Sequence, residues 1–205
     1  MTVKRRGTLF VVSAPSGAGK TTLCRELRLR VPGIAYSISV TTRAPRPGEI
    51  DGIDFEFVDE ARFREMVAAG EFAEHAVVHG HLYGTRSDTL ERALKAGTDI
   101  LLDIDTQGAA RLKEYAPEAV LIFIMAPSMA VLEQRLRERK SDNEGDITRR
   151  LWRAREEIAL WRRYDYLIVN RDVKEALEQL GSIVMAERAR TSRLSLELND
   201  LEVPE

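Results

Sequence analysis

Four short runs along the chain are almost continuously apolar: residues 8–13, 99–104 (DILLDI), 119–125 (AVLIFIM) and 165–169 (DYLIV). Runs of this length without polar interruption predict strands covered on both faces, as in a parallel sheet. Between them, apolar positions recur at helical spacing. One helix is predicted over Thr22 to Leu29 and another from an N-cap at Ser87 to a stop at Gly97. Two more follow Pro127-Ser128 and Asp146. Strands alternating with helices imply an α/β fold with a doubly wound parallel sheet, and ligands at the carboxyl ends of its strands.

Two segments break the alternation. Residues 38–86 hold the Arg- and Pro-rich turn TTRAPRPGEIDG, the alternating run IDFEFV, a helix from Asp59 to Gly70, and EFAEHAVVHGHLYGT. They predict a small inserted β-rich unit. Residues 129–156 read as a highly charged helix pair around SDNEGD, with too few apolar positions for core, and are expected to form a mobile helical lid. The chain then divides into a core (1–37, 87–128 and 157–205), the β-rich unit and the lid. The tail from Thr191 to Glu205 carries Leu194, Leu196, Leu198 and Leu201 and reads as a packed helix or a subunit contact.

Composition narrows the class without naming it. A length of 205 residues suits one compact domain, and 44% hydrophobic with 31% charged residues is ordinary for a globular protein. A net charge of −2 gives no global pull toward nucleic acid, so an anion site must be local. No stretch reaches membrane-spanning length, and the apolar run after the basic Met1–Arg6 is too short for a signal peptide. Cys24 is the single cysteine, which excludes an intramolecular disulfide and a cysteine-rich zinc site; a cytoplasmic protein is expected.

The first apolar run breaks into SAPSGAGKTT, a glycine-bearing loop ahead of a helix. Gly17 and Gly19 let backbone N–H groups turn inward around an anion, Lys20 reaches terminal phosphates, and the Thr21 hydroxyl is placed to ligate Mg²⁺. Ala14, Pro15, Ser16, Ala18 and Thr22 complete the candidate triphosphate loop, with Ala14 standing where the usual motif has its first glycine.

Other charged groups fit the same chemistry. Arg43 and Arg46 flank Ala44-Pro45 on a proline-stiffened turn, preorganised to bind a phosphate or, alternatively, solvated. Arg135 and Arg139 lie at i and i+4, with Arg150 on the next element; an anion between them explains the spacing, and Glu138 and Asp142 offer a salt-bridged alternative. Asp103 and Asp105, on one face of a strand that ends in ILLDIDTQG, either hold Mg²⁺ directly or through water, or cap the helix that follows. His75, His79 and His81 share one face of an alternating strand, but no cysteine joins them and they read as strand or loop histidines rather than a zinc site.

The stretches SAPSGAGKTT, SVTTRAPRPGEIDG, FAEHAVVHGHLYGT, LLDIDTQGA, Arg135 to Arg150 and YDYLIVN resemble guanylate kinases from Gly7 to about Arg190. The resemblance implies a P-loop kinase with a core, a GMP-binding unit and a closing lid, passing phosphate from ATP, with Mg²⁺, to GMP or dGMP. It implies that Lys20 and the loop amides hold ATP, with Asn170 near adenine. Ser39, Arg43, Arg46 and Tyr83 would hold the GMP phosphate region, and Glu74, Thr85 and Asp105 the guanine, with Asp103 in the same pocket. Arg135, Arg139 and Arg150 would be the lid arginines, catalytic together with Lys20 and Arg43. Phe55 departs from the pattern by replacing a tyrosine whose hydroxyl bonds the GMP phosphate; His81-Leu82 and Glu138-Arg139-Lys140 depart as well. Two rivals remain. A phosphopeptide-binding module of the same fold would be expected to lose Lys20, the loop glycines or the lid arginines. A ribosyl-phosphate kinase would have no need of Glu74 with Thr85.

Overall fold

In the computed structural model, residues 2–78, 80–138 and 143–197 are described. The elements in chain order are β1 (Thr2–Arg5), β2 (Leu9–Ser13), α1 (Lys20–Arg30), β3 (Ile34–Tyr36), β4 (Ser39–Thr41), β5 (Phe55–Phe57), α2 (Glu60–Ala68), β6 (Phe72–Val78) and β7 (His81–Arg86). They continue with α3 (Ser87–Lys95), β8 (Asp99–Asp103), α4 (Thr106–Tyr115), β9 (Val120–Met125), α5 (Met129–Glu138), α6 (Glu144–Ala159), β10 (Tyr166–Val169), α7 (Val173–Arg188) and β11 (Leu194–Glu197).

A five-stranded sheet in the order β10-β9-β2-β8-β3 is parallel throughout. Its alternation explains the continuous apolar runs. Phe10 and Val12 point into a cluster with Leu23 and Leu27 of α1 and Leu177 and Leu180 of α7, while Leu9 and Val11 point into another with Leu90 of α3 and Leu112 of α4. The inserted unit forms its own four-stranded sheet, β5-β4-β7-β6, with α2 packed on it through Phe63 and Met66. Asp59 caps α2 by accepting from the Arg62 N–H at 2.7 Å.

Several boundaries differ from the sequence reading, for local reasons. Helix α1 starts two residues early, at Lys20, because Gly19 already turns the chain into it. Ser87 opens α3 rather than capping it, and its hydroxyl donates to the Glu71 carbonyl at 3.0 Å. Asn143, not Asp146, precedes the first residue of α6, accepting from the Asp146 N–H at 2.9 Å. Between Thr191 and Glu197 the tail forms no α-helix: a short 3-10 turn leads into β11, which pairs antiparallel with β1. Leu198 and Leu201 lie outside the described residues.

The charged segment 129–156 is also less peripheral than its composition implies. Leu132 and Ala154 are buried in the cluster that holds Phe10 and Val12, and Leu136 and Ile147 are buried beside them in α5 and α6. Helix α6 runs unbroken through residue 156, so a boundary there falls within one element. Among the described residues no helix is long and apolar enough to cross a membrane.

Asp99, at the start of β8, ties the lower edge of the sheet together. Its buried carboxylate accepts from the Thr8 N–H at 2.8 Å and from Arg188 Nε at 2.7 Å, and also pairs with Arg5. Removing it leaves two arginines and one buried amide without their acceptor. Asp99→Ala should therefore lower unfolding stability by about 3–5 kcal/mol, read as a drop in the denaturant midpoint.

Candidate active site

The fold brings the glycine loop to the carboxyl ends of β2 and β8. Gly17 and Gly19 adopt φ of 92° and 98°, the left-handed region that glycine enters without strain. Space demands glycine too: a Cβ on Gly19 would stand 2.4 Å from Asn170 Nδ2, and one on Gly17 3.3 Å from the Leu136 side chain. Helix α1 consequently begins with no side-chain cap and no acidic residue in its first turn. Its leading amides and the positive end of its dipole are available to an anion. Ala14, in place of the motif's first glycine, is buried in the main core cluster.

Lys20 Nζ lies 2.5 Å from Asp103 Oδ1 and donates to the Ile104 carbonyl at 3.1 Å. Burial alone would lower the Lys20 pKa, but the Asp103 carboxylate overcomes it and the net shift is upward, so the ammonium stays charged. Thr21 is exposed on the first turn of α1 and lines both clefts that meet here. The first cleft, of about 580 Å³, runs over the glycine loop and is walled by Thr22, Arg150, Arg153 and Glu157. Arg150 reaches the loop by donating to Ser16 Oγ at 2.9 Å.

Two expected site residues stand behind the loop rather than in this cleft. Asn170 is 1% exposed, and its Nδ2 donates to the Ala18 carbonyl at 2.8 Å, with Oδ1 buried and unpartnered. Arg135 reaches the same carbonyl at 3.5 Å and the Asn170 carbonyl at 3.1 Å. An inward turn of the loop N–H groups sends the Ala18 C=O backward, and a buried carbonyl requires donors. Arg139, with Asp142, lies outside the described residues, and Glu138 accepts from Gln134 at 2.8 Å.

The second cleft, of about 490 Å³, is lined by Ser39, Arg43, Arg46, Phe55, Tyr83 and Asp103. Arg43 forms a bidentate pair with Glu49, both bonds 2.9 Å, and donates from Nε to Tyr83 Oη at 3.3 Å. Those two bonds from Arg43 are the main reason the Glu49 carboxyl titrates below the usual range. Phe55 carries Arg43 over its ring at 5.2 Å and meets Tyr83 edge-on at 6.2 Å.

A third cluster sits on the same sheet. Glu74 on β6, 6% exposed, accepts from Thr85 Oγ1 at 2.6 Å, and Thr85 shares one face of β7 with Tyr83. Asp105 does not continue β8: the strand ends at Asp103, and Asp105 caps α4 by accepting from the Gly108 N–H at 2.8 Å. The capping alternative therefore holds for Asp105. A Cβ on Gly108 would stand 2.9 Å from Glu74 Oε2 and 3.3 Å from Asp105 Oδ1, so this glycine leaves the two carboxylates facing one space. Burial first, then Asp105, pushes the Glu74 pKa up despite Thr85 and Arg111.

His75 and His81 do not share a strand. His75 on β6 packs edge-on to Phe63 at 6.5 Å, His81 begins β7 and is exposed, and His79 lies outside the described residues. Residues that the sequence reading did not single out include Glu49, Gly108, Arg153 and Glu157. Only Glu49 had a local signal, an acid six positions after Arg43 across a turn with two prolines.

A glycine loop before an uncapped helix at the end of a parallel strand, with a lysine and an aspartate joining two adjacent clefts, defines a P-loop nucleotide-binding protein. The family model described as "Guanylate kinase" matches residues 6–187. The guanylate kinase of Syntrophotalea carbinolica is 53% identical over 199 residues, 97% of this chain and 95% of that protein. That of Geobacter sulfurreducens is 50% identical, covering 94% and 95%. The crystal structure of guanylate kinase from Anaplasma phagocytophilum superposes with a TM-score of 0.79 at 38% identity, covering 94% of this chain and 92% of that one. The chain belongs to the guanylate kinase family.

Glu157 gives the cleft a titrating group near neutrality. Burial pushes its carboxyl up to about 7, with Lys20 and Arg153 opposing and Asp105 and Glu156 adding to the rise. A carboxyl whose folded pKa exceeds its unfolded value favours the folded state in its protonated form, so its contribution is lost as pH rises from the unfolded value toward 7. Glu157→Gln should leave the melting temperature near that of wild type at about pH 5 and raise it relative to wild type at about pH 8. Equal differences at both pH values would remove Glu157 from this role.

Proposed function

We propose that the chain transfers the γ-phosphoryl group of ATP to GMP, and to dGMP, giving ADP and the nucleoside diphosphate. The observation that carries this reading is the adjacency of an uncapped P-loop helix to an arginine-lined cleft, joined through Lys20 and Asp103. In this reading the loop amides from Ala14 to Thr22 and Lys20 hold the triphosphate. Arg43, Arg46, Ser39 and Tyr83 hold the acceptor phosphate. Glu74 and Asp105, kept open by Gly108, accept from guanine N1–H and N2–H₂, which adenine lacks as a pair. Asn170 and Arg135 support the loop from behind, and Arg150 closes over it.

The acceptor nucleophile is already a phosphate anion, so no general base is required and catalysis is alignment plus charge neutralisation. Lys20 exchanges Asp103 for the transferring phosphate. The Thr21 hydroxyl and the Asp103 carboxylate are hard oxygen donors that suit Mg²⁺, and they would hold it. Bound with ATP, the ion neutralises phosphate charge. Residues 38–86 act as the acceptor-binding unit and residues 129–156 as the lid. The enzyme works in the cytoplasm, where a lone thiol such as buried Cys24 stays reduced.

The direct test is ATP consumption with GMP, dGMP, AMP and a ribosyl bisphosphate as alternative acceptors. Turnover confined to GMP and dGMP is expected; none with millimolar GMP would discard the reading. Lys20→Ala should lower kcat by at least roughly 10²-fold with circular dichroism unchanged. Phe55→Tyr, which restores a hydroxyl beside Tyr83 and Arg43, should lower the GMP KM roughly two- to ten-fold at constant kcat, the worth of one neutral hydrogen bond.

A further inference from the structure

Glu49 has no place among the nucleotide-binding groups just assigned, yet it organises them. An arginine carries five N–H donors in a rigid fork. In Arg43 four are already committed: Nε to Tyr83 Oη, one Nη1 hydrogen to the Ala44 carbonyl at 2.7 Å, and one on each Nη to Glu49. One Nη2 hydrogen is left over. Glu49 Oε2 also accepts from the Arg46 N–H at 2.7 Å, and the Glu49 N–H donates to the Arg46 carbonyl at 3.0 Å. The Arg46 guanidinium, exposed at the tip of the turn, forms no hydrogen bond or ion pair with another side chain among the described residues. Both arginines line the second cleft together with Glu49.

We propose that Glu49 is a positioning residue for the acceptor phosphate. It locks the Arg43 fork in one orientation and fixes the turn that carries Arg46, so that the phosphate meets one preset donor of Arg43 and the exposed guanidinium of Arg46. This rests on the acceptor reading of the second cleft. A long guanidinium held by a bidentate carboxylate has surrendered its rotamer freedom before the ligand arrives, so less is lost on binding. The carboxylate still leaves the trio Arg43, Arg46 and Glu49 with a net charge of +1, which favours an anion. A carboxylate that merely occupied the phosphate position would act in the opposite sense, competing with the ligand.

The two roles separate in steady-state kinetics. Glu49→Ala should raise the KM for GMP roughly ten-fold or more, the loss expected for a preorganised charge-assisted contact. The KM for ATP and kcat at saturating GMP should stay within about three-fold. Glu49→Gln, which keeps an oxygen for the Arg46 N–H but loses the ion pair, should fall between wild type and Glu49→Ala. Guanosine, lacking a phosphate, should inhibit all three proteins with the same constant. A lowered or unchanged GMP KM in Glu49→Ala, or an equal loss of guanosine affinity, overturns the proposal. Wild-type protein inactive toward GMP overturns both this and the acceptor reading; active wild type with an unmoved KM in the variant overturns the role of Glu49 alone.

Discussion

The arrangement depends on one backbone constraint, the inward turn of the chain between Ser13 and Lys20. A strand buried on both faces must deliver the chain to a helix packed on one of them, and the loop between has to aim its N–H groups at a common point. That requires left-handed backbone at Gly17 and Gly19. It also reverses the Ala18 carbonyl, which then needs donors where no water reaches. Asn170 and Arg135 supply them, from the end of β10 and from α5. Helix α5 and the segment after β10 are thereby tied to the loop by its own hydrogen-bond deficit.

The same sheet sets the distance between the two clefts. β2 and β8 are adjacent and parallel, with Val12 paired to Asp103, so the loop after one strand and the carboxylate ending the other arrive side by side. Lys20 spans that gap. The inserted sheet is carried on the far side: Tyr83 and Thr85 on one face of β7 link the Arg43 cleft to Glu74, and α4 packs on β6. Asp105 connects the halves, since it caps α4 while its carboxylate faces Glu74 across Gly108.

What the sequence made legible follows from the range of the interactions involved. The four apolar strands and the glycine loop are written in contiguous residues, and each appears where expected. Asp105 stayed between two roles because Ile104 extends the apolar run, while the deciding contact, a cap on Gly108, belongs to the next element. The lid segment misled because its core positions, Leu132, Leu136, Ile147 and Ala154, are single apolar residues in a dense field of charge. β3 and β1 are short and carry no clear alternation, and the alternating leucines of β11 lie in a tail read as a packed helix or a subunit contact. Asn170 was the least readable, because its partner lies 152 residues away.

Apart from the exposed Arg46, the cations of the site are not held bare. Lys20 rests on Asp103, Arg43 on Glu49, Arg135 on two backbone carbonyls and Arg150 on Ser16. Half-buried charges without partners are costly, and a chain of net charge −2 has no surplus of positive field to spare. In the proposed reaction Lys20 binds phosphate by exchanging Asp103, which weakens ground-state affinity by the strength of that pair, while Arg43 keeps Glu49 and offers its remaining donor. The gain lies in orientation. In that reading Lys20 and Arg43 already stand at the two clefts, so the stabilising geometry would be completed only with both nucleotides in place. That condition favours interactions realised in the transition state over uniform binding, and it disfavours transfer to water when the acceptor is missing.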